Sequence, residues 1–202
     1  MIYKLVCASD DSFSKLYSKD EDEVIIAVDG GYNVLKSNNI TVDYYFGDKD
    51  SLTECDIVAT KQFEYNSIKD DSDFDLVIKF LIDKIKISNV DKIFVYNATG
   101  GRLDHYNAIL NTIIKYSDYN IYLFDKNNCI YMSDYKNIIN KNNYKYISFF
   151  SVEDDTVITL KGMKYNIENY NLNVRDNLCL SNEIIDNGIL ETNKKVLIYQ
   201  SK

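Results

Sequence analysis

The sequence predicts an α/β N-terminal domain with a mainly parallel sheet, followed by an all-β sandwich domain. Two observations carry this. Through the first 127 residues, short apolar runs alternate with stretches of helical period, the pattern of strands joined by crossover helices. After about Asn127 the helical pattern stops, and short apolar runs alternate with Asn and Asp turns. The expected division is an α/β domain over 1–127 and a β-sandwich over 128–202.

In the first part, strands are expected at 3–8, 24–28, 44–46, 57–59, 93–96 and 121–124, with helices near 32–37, 74–87 and 103–116. The helix from Phe74 is the clearest, because Phe74, Val77, Ile78, Leu81, Ile82 and Ile85 form one apolar stripe. Ser72 followed by Asp75 gives it a start resembling a capping box. In the second part, strands are expected at 129–132, 144–150, 156–160, 178–180, 188–190 and 196–199, with a polar stretch over 133–143. The chain has no proline, so Gly, Asn, Asp and Ser must make its turns.

Composition narrows the functional classes. With 46% apolar and 27% charged residues, the chain reads as a globular protein. No apolar run approaches the roughly 18–20 residues of a membrane span, and the apolar start meets Asp10 and Asp11 too soon for a signal peptide. A cytoplasmic location without membrane attachment is expected. A net charge of −8 argues against nucleic-acid binding. The same charge means that a phosphate ligand would need local cations, glycine-rich backbone or a divalent ion. Cys7, Cys55, Cys129 and Cys179 are scattered, which points to buried free thiols rather than a metal cluster or disulfide framework.

Asn97–His105 carries the strongest chemical signal. A strand, a glycine turn and a helix start follow one another, so Gly100 and Gly101 can bring backbone N–H groups against a phosphate at a positive helix end. The segment also holds Arg102, Asp104 and His105. Arg102 is one of two arginines, and its planar fork suits bidentate phosphate binding. A plain glycine turn with surface charges accounts for the segment equally well when it is taken alone.

Three further segments sit at strand ends or helix starts. Gly47-Asp48-Lys49-Asp50-Ser51 sets two carboxylates two residues apart beyond a strand, where ligands of open α/β sheets bind. Such hard oxygen donors favour Mg²⁺ shared with substrate phosphates, although an Asp-rich turn also fits. Lys69-Asp70-Asp71-Ser72-Asp73 opens the Phe74 helix with more acids than capping requires. Ala27–Asn33 forms a third strand–glycine–helix junction, where Asp29 either accepts hydrogen bonds from a ligand or caps the helix.

Together these segments resemble the thiamine pyrophosphokinase family over nearly the whole chain. Ala98–His105 matches the family's Ala-Thr-Gly-Gly-Arg-Leu-Asp-His in full, and Asp29–Asn33 is similar to its Asp-Gly-Gly pattern. Gly47–Ser51 matches Gly-Asp-Phe-Asp-Ser with Lys49 in place of Phe, and Lys69–Asp73 matches Lys-Asp-x-Thr-Asp with Ser72 in place of Thr. Lys161–Tyr165 and Ser181-Asn182-Glu183 resemble two C-terminal family elements. The glycine-rich turn expected after the first strand is replaced by Ala8-Ser9-Asp10-Asp11.

The resemblance implies diphosphate transfer from ATP to the hydroxyl of thiamine, giving thiamine diphosphate and AMP. It implies an α/β domain, a β-sandwich and a homodimer with sites shared between subunits. By the same resemblance, Asp48, Asp50 and Asp73 hold Mg²⁺, while Gly100, Gly101 and Arg102 cradle the phosphates. Asp104 and His105 support the loop and nucleotide, with Asp29, Asn33 and Lys69 as further ATP contacts. Ser181 and Asn182 border thiamine, as do Asp71 and Ser72; Asp71 or Asp73 is the candidate acceptor of the alcohol proton. Two other readings stay open: a diphosphokinase for a hydroxymethylpterin, and a non-catalytic regulator whose metal site Lys49 has spoiled.

Overall fold

The computed structural model describes residues 1–9, 12–47, 59–64 and 71–202. The chain divides into two compact units, Met1–Lys126 and Asn127–Lys202.

The first unit is built on strands β1 (Ile2–Val6), β2 (Glu23–Val28), β3 (Val42–Gly47), β4 (Ala59–Glu64), β5 (Lys92–Tyr96) and β6 (Asn120–Phe124). They run in the order β4-β3-β2-β1-β5-β6, and each of these pairings is parallel. The chain moves outward from β1 to β4, then returns to β5 on the other side of β1. That reversal opens a crevice beyond the C-terminal strand ends, because neighbouring loops depart in opposite directions.

Helices α1 (Phe13–Leu16), α2 (Gly31–Ser37), α3 (Asp73–Phe80) and α4 (Leu103–Lys115) connect the strands. Side-chain alternation along β3 shows how the sheet is covered. Tyr45 packs on one face against Tyr32 of α2, at 6.2 Å between rings. Tyr44 and Phe46 point the other way, against Phe80 of α3, each at 5.2 Å.

The expected 74–87 helix divides: α3 ends at Phe80, and a π-helical turn follows over Leu81–Ile85. Lys86 closes it in the left-handed region at φ 62°. The wider turn rotates the apolar stripe, so Phe74, Val77, Ile78 and Leu81 are buried while Ile82 and Ile85 are half-buried.

Gly31 sets how close α2 can come to β1. A Cβ there would lie 1.8 Å from the Val6 carbonyl oxygen, which is backbone and cannot rotate aside. Gly31→Ala is expected to cost about 3 kcal/mol, the upper range for forcing a methyl into a packed core, read as a lower urea midpoint at unchanged slope.

The second unit is an all-β sandwich. One sheet has β7 (Asn128–Met132), β13 (Val196–Ser201) and β9 (Tyr146–Ser151), with β13 central and antiparallel to both neighbours. The other runs β11 (Ile167–Leu172), β10 (Thr156–Met163), β12 (Ile184–Thr192), β8 (Lys136–Asn140). Phe149 and Ile198 from the first sheet meet Ile158, Leu160 and Leu190 from the second in one core.

The fold class read from the sequence is borne out, with local corrections. The polar stretch over 133–143 contains β8, an edge strand whose Ile139 is buried while Ile138 is 69% exposed. β11 is also an edge strand, too polar to register as a strand by apolar alternation. Residues 178–180 form a turn, with the Leu180 N–H donating to the Asn177 carbonyl at 3.2 Å. Buried Cys179 between exposed Leu178 and Leu180 imitates strand alternation there. Helix α1 is too short to give a periodic signal. Of the strand expected at 57–59, residues 57 and 58 lie outside the described residues, and Ala59 opens β4.

Candidate active site

A cavity of about 470 Å³ opens at the C-terminal ends of β1 and β2, between the first turns of α3 and α4. Its lining includes Asp29 after β2, Ser72 and Asp73 at the start of α3, and Asp104 and His105 at the start of α4. With Cys7, Ala8 and Ser9 after β1, four segments distant in sequence meet in one crevice.

Each is placed by local rules. Ser72 is the N-cap of α3, and its hydroxyl accepts a hydrogen bond from the Asp75 N–H at 3.2 Å. Asp73 follows in the first turn, where the helix dipole favours a carboxylate. Asp29 adopts φ 51°, and its N–H donates to the Phe46 carbonyl at 2.7 Å, tying β2 to the end of β3. Gly30, not Asp29, is the N-cap of α2. Asp29 itself lines the cavity.

Gly100 lies at φ 83°, a left-handed conformation that suits glycine. A Cβ on Gly101 would stand 3.0 Å from Ser9 Cβ, so the glycine turn closes directly onto the loop after β1. The turn is braced from β6 by the Thr99 hydroxyl donating to Asp125 at 2.9 Å. Arg102 is the N-cap of α4 and projects outward, its side chain 70% exposed. Its guanidinium donates to both oxygens of Asp104, at 2.6 and 3.2 Å. This hydrogen-bonded pair holds the Asp104 carboxyl down to about 2, with the His105 N–H adding to the effect.

Asn33 sits in α2, its N–H donating to the Gly30 carbonyl at 3.1 Å. Asp71 stands just before the N-cap of α3, where Lys79 holds its carboxylate at 2.6 Å and keeps its pKa below the ordinary range. Asp48, Asp50 and Lys69 lie outside the described residues.

Sequence reasoning missed part of the lining. Cys7, Ala8 and Ser9 line the cavity despite the missing glycine turn, and Val28, Phe74, Ala108 and Ile109 form its apolar wall. Burial, reinforced by the charge of Asp29, pushes the Cys7 thiol up to about 12, so it acts there as an apolar surface. Asn97, which opens the strongest segment, had no role assigned to it from sequence. Fully buried at φ 56°, it accepts the Ser9 N–H on its carbonyl at 2.8 Å and the Phe13 N–H on Oδ1 at 2.9 Å. An Asn immediately after a strand was its only sequence signal.

The second unit carries Ser181 and Asn182. Ser181, at φ 56°, lies beside an open groove of about 330 Å³ with Leu180, Phe150, Leu197 and Tyr199. Asn182 is buried, and its amide clips two loops together. Oδ1 accepts from the Tyr165 and Glu183 N–H groups at 3.0 and 2.9 Å, and Nδ2 donates to the Tyr165 carbonyl at 2.8 Å. Asn182→Ala would strand these groups and is expected to cost about 2–3 kcal/mol, read as a lower thermal midpoint.

Among the described residues, no helix is long and apolar enough to cross a membrane. No three His, Cys, Asp or Glu side chains among them converge as an ion site on their own.

Known proteins share this fold. The family model for the thiamin pyrophosphokinase catalytic domain matches residues 15–124, and that for the thiamin pyrophosphokinase vitamin B1 binding domain matches residues 136–197. A thiamine pyrophosphokinase of Bacillus subtilis (strain 168) is 33% identical over 191 residues, covering 89% of this chain and 87% of the relative. The crystal structure of thiamine pyrophosphokinase from Bacillus subtilis superposes with a TM-score of 0.87 at 26% identity, covering 100% of this chain and 99% of that one. That of thiamin pyrophosphokinase from Geobacillus thermodenitrificans gives 0.81 at 25% identity, covering 100% and 98%. This chain belongs to the thiamine pyrophosphokinase family.

Proposed function

We propose that this chain transfers the terminal diphosphate of ATP to the hydroxyl of thiamine, and that the β1–β2 cavity is where ATP is held for the reaction. The carrying observation is the meeting of Asp29, Ser72, Asp73, Asp104 and His105 in one crevice, with Gly101 closing against its Ser9 edge. The alcohol oxygen bonds to the β-phosphorus, the bond from that phosphorus to the α-phosphate oxygen breaks, and AMP leaves. Such transfer rests on alignment and charge neutralisation more than on covalent help.

The chain's own groups divide that work. The Gly100–Gly101 turn and the start of α4 offer backbone N–H groups to phosphate oxygens, and Arg102 adds a bidentate cation once its fork exchanges Asp104 for phosphate. Asp104 thus holds Arg102 in readiness. His105 and Asp29 border the nucleotide, with Asn33 and Lys69 as outer contacts. Cys7, Val28, Phe74 and Ile109 exclude water from the crevice.

The cavity carboxylates are hard oxygen donors, which fits Mg²⁺. Without a self-sufficient ion site among the described residues, a cation would draw part of its oxygens from ATP, the usual habit of Mg²⁺. Asp73, with Asp48 and Asp50, would hold it. Bound there, Mg²⁺ would neutralise charge on the phosphates. Asp73 lines the cavity, and Asp71, held by Lys79, does not, so Asp71 is the weaker candidate for the alcohol proton.

Thiamine is placed by the second part of the same proposal: Ser181, presented beside an apolar groove, borders it, and Asn182 shapes that edge. Assembly as a homodimer in the cytoplasm, with sites shared between subunits, is supported by the family resemblance. Incubating the protein with ATP and Mg²⁺, and with either thiamine or a hydroxymethylpterin, tests the reading. AMP formation with thiamine alone supports it; AMP only with the pterin, or nucleotide binding without turnover, contradicts it.

A further inference from the structure

A chain of alternating charges runs along the start of α3, outside the cavity lining. Asp75 is the buried member, its side chain 9% exposed. Lys79, one turn along the same helix, reaches it at 3.2 Å, and Lys115, from the last turn of α4, reaches it at 3.1 Å. Lys79 also holds Asp71 at 2.6 Å, completing the series Asp71–Lys79–Asp75–Lys115.

A carboxylate taken out of water needs compensating charge, and here that charge comes from two helices. Ordinary N-capping explains Ser72, and the helix dipole favours an acid in the first turn. Neither explains why α3 buries a carboxylate and brings a lysine from 40 residues away to meet it. The geometry ties α3 to α4 at the turn that carries Ser72 and Asp73 into the cavity, and the Asp75 N–H is itself the donor to Ser72.

We propose that Asp75, clamped by Lys79 and Lys115, is a positioning residue for binding of the metal–nucleotide. It fixes the first turn of α3, which sets Asp73 in the cavity lining, while Lys79 holds the neighbouring Asp71. This rests on the reading of the cavity as the Mg²⁺–ATP site. Groups that orient metal ligands from behind typically change metal affinity by about 10- to 100-fold when removed.

The test is calorimetric titration with α,β-methylene-ATP, which cannot release AMP, in the presence and absence of Mg²⁺. Asp75→Asn keeps size and shape and removes the charge. It is expected to weaken binding with Mg²⁺ about 10-fold or more and to leave metal-free binding within about 3-fold. Lys115→Met leaves Asp75 its Lys79 partner and is expected to move the same quantity less, with Lys115→Arg restoring it. This second variant decides the matter if Asp75→Asn does not fold. Equal weakening with and without Mg²⁺, or none, overturns the positioning role. Absence of Mg²⁺-dependent binding in the unsubstituted chain overturns the cavity reading and the inference together.

Discussion

Asp73→Asn is expected to lower kcat/KM for diphosphate transfer by about 10²-fold or more, the scale of losing a principal charge-stabilising group. Asn preserves the size of the side chain, and the Ser72 cap that starts α3 does not involve it. The fold should therefore persist, with an unchanged far-ultraviolet circular dichroism spectrum and a thermal midpoint within a few degrees. What is lost is a negative oxygen in the crevice, and with it part of the attraction for Mg²⁺. Saturation with the metal should consequently require more of it. The same scale of loss is expected for Asp48→Asn and Asp50→Asn, which lie outside the described residues. Near-normal activity in Asp73→Asn would remove that carboxylate from the proposed metal site.

Arg102→Lys should raise KM for ATP by about 10- to 100-fold, the equivalent of one charge-assisted hydrogen bond. The charge is kept, but Lys offers a point in place of a fork and cannot span two phosphate oxygens. Arg102 is exposed and is held through its pair with Asp104, so the substitution should leave stability almost unchanged, as usual for a surface ion pair. A steady-state comparison of both variants separates the effects: the Arg102 change falls mainly on KM for ATP, and the Asp73 change falls on kcat as well. Equal KM values for Arg102→Lys and the unsubstituted chain would argue that the side chain stays with Asp104 during turnover.

Much of this architecture was legible because it rests on periodicity. Apolar runs located β1, β2, β5 and β6, and the stripe from Phe74 located α3, because burying one face imposes a period on the sequence. The edge strands β8 and β11 were not legible. A strand paired on one side only needs few apolar residues, and Asn and Lys occupy the remaining positions. The π-turn at Leu81–Ile85 was likewise invisible, since its residues differ little from those of an α-helix.

The site was legible where chemistry is concentrated in short segments. Asp29, Ser72, Asp73, Asp104 and His105 were each singled out, and they line one cavity. Roles that act through backbone geometry or long-range pairing were not legible, even at residues the sequence had named. Asn97 works by its left-handed conformation and the loop it captures, and Asp75 by a lysine on another helix. Neither relation leaves a local pattern. After β1 the expected glycines are missing, yet Asn97 holds the N–H groups of Ser9 and Phe13, and Ser9 lines the cavity.

The central claim, that both outer phosphates move together to thiamine, is tested most directly by following one reaction by phosphorus NMR. With ATP, Mg²⁺ and thiamine, AMP and thiamine diphosphate should appear in equal amounts, without accumulation of ADP. Formation of ADP with thiamine monophosphate, or consumption of ATP with thiamine left unchanged, would contradict it.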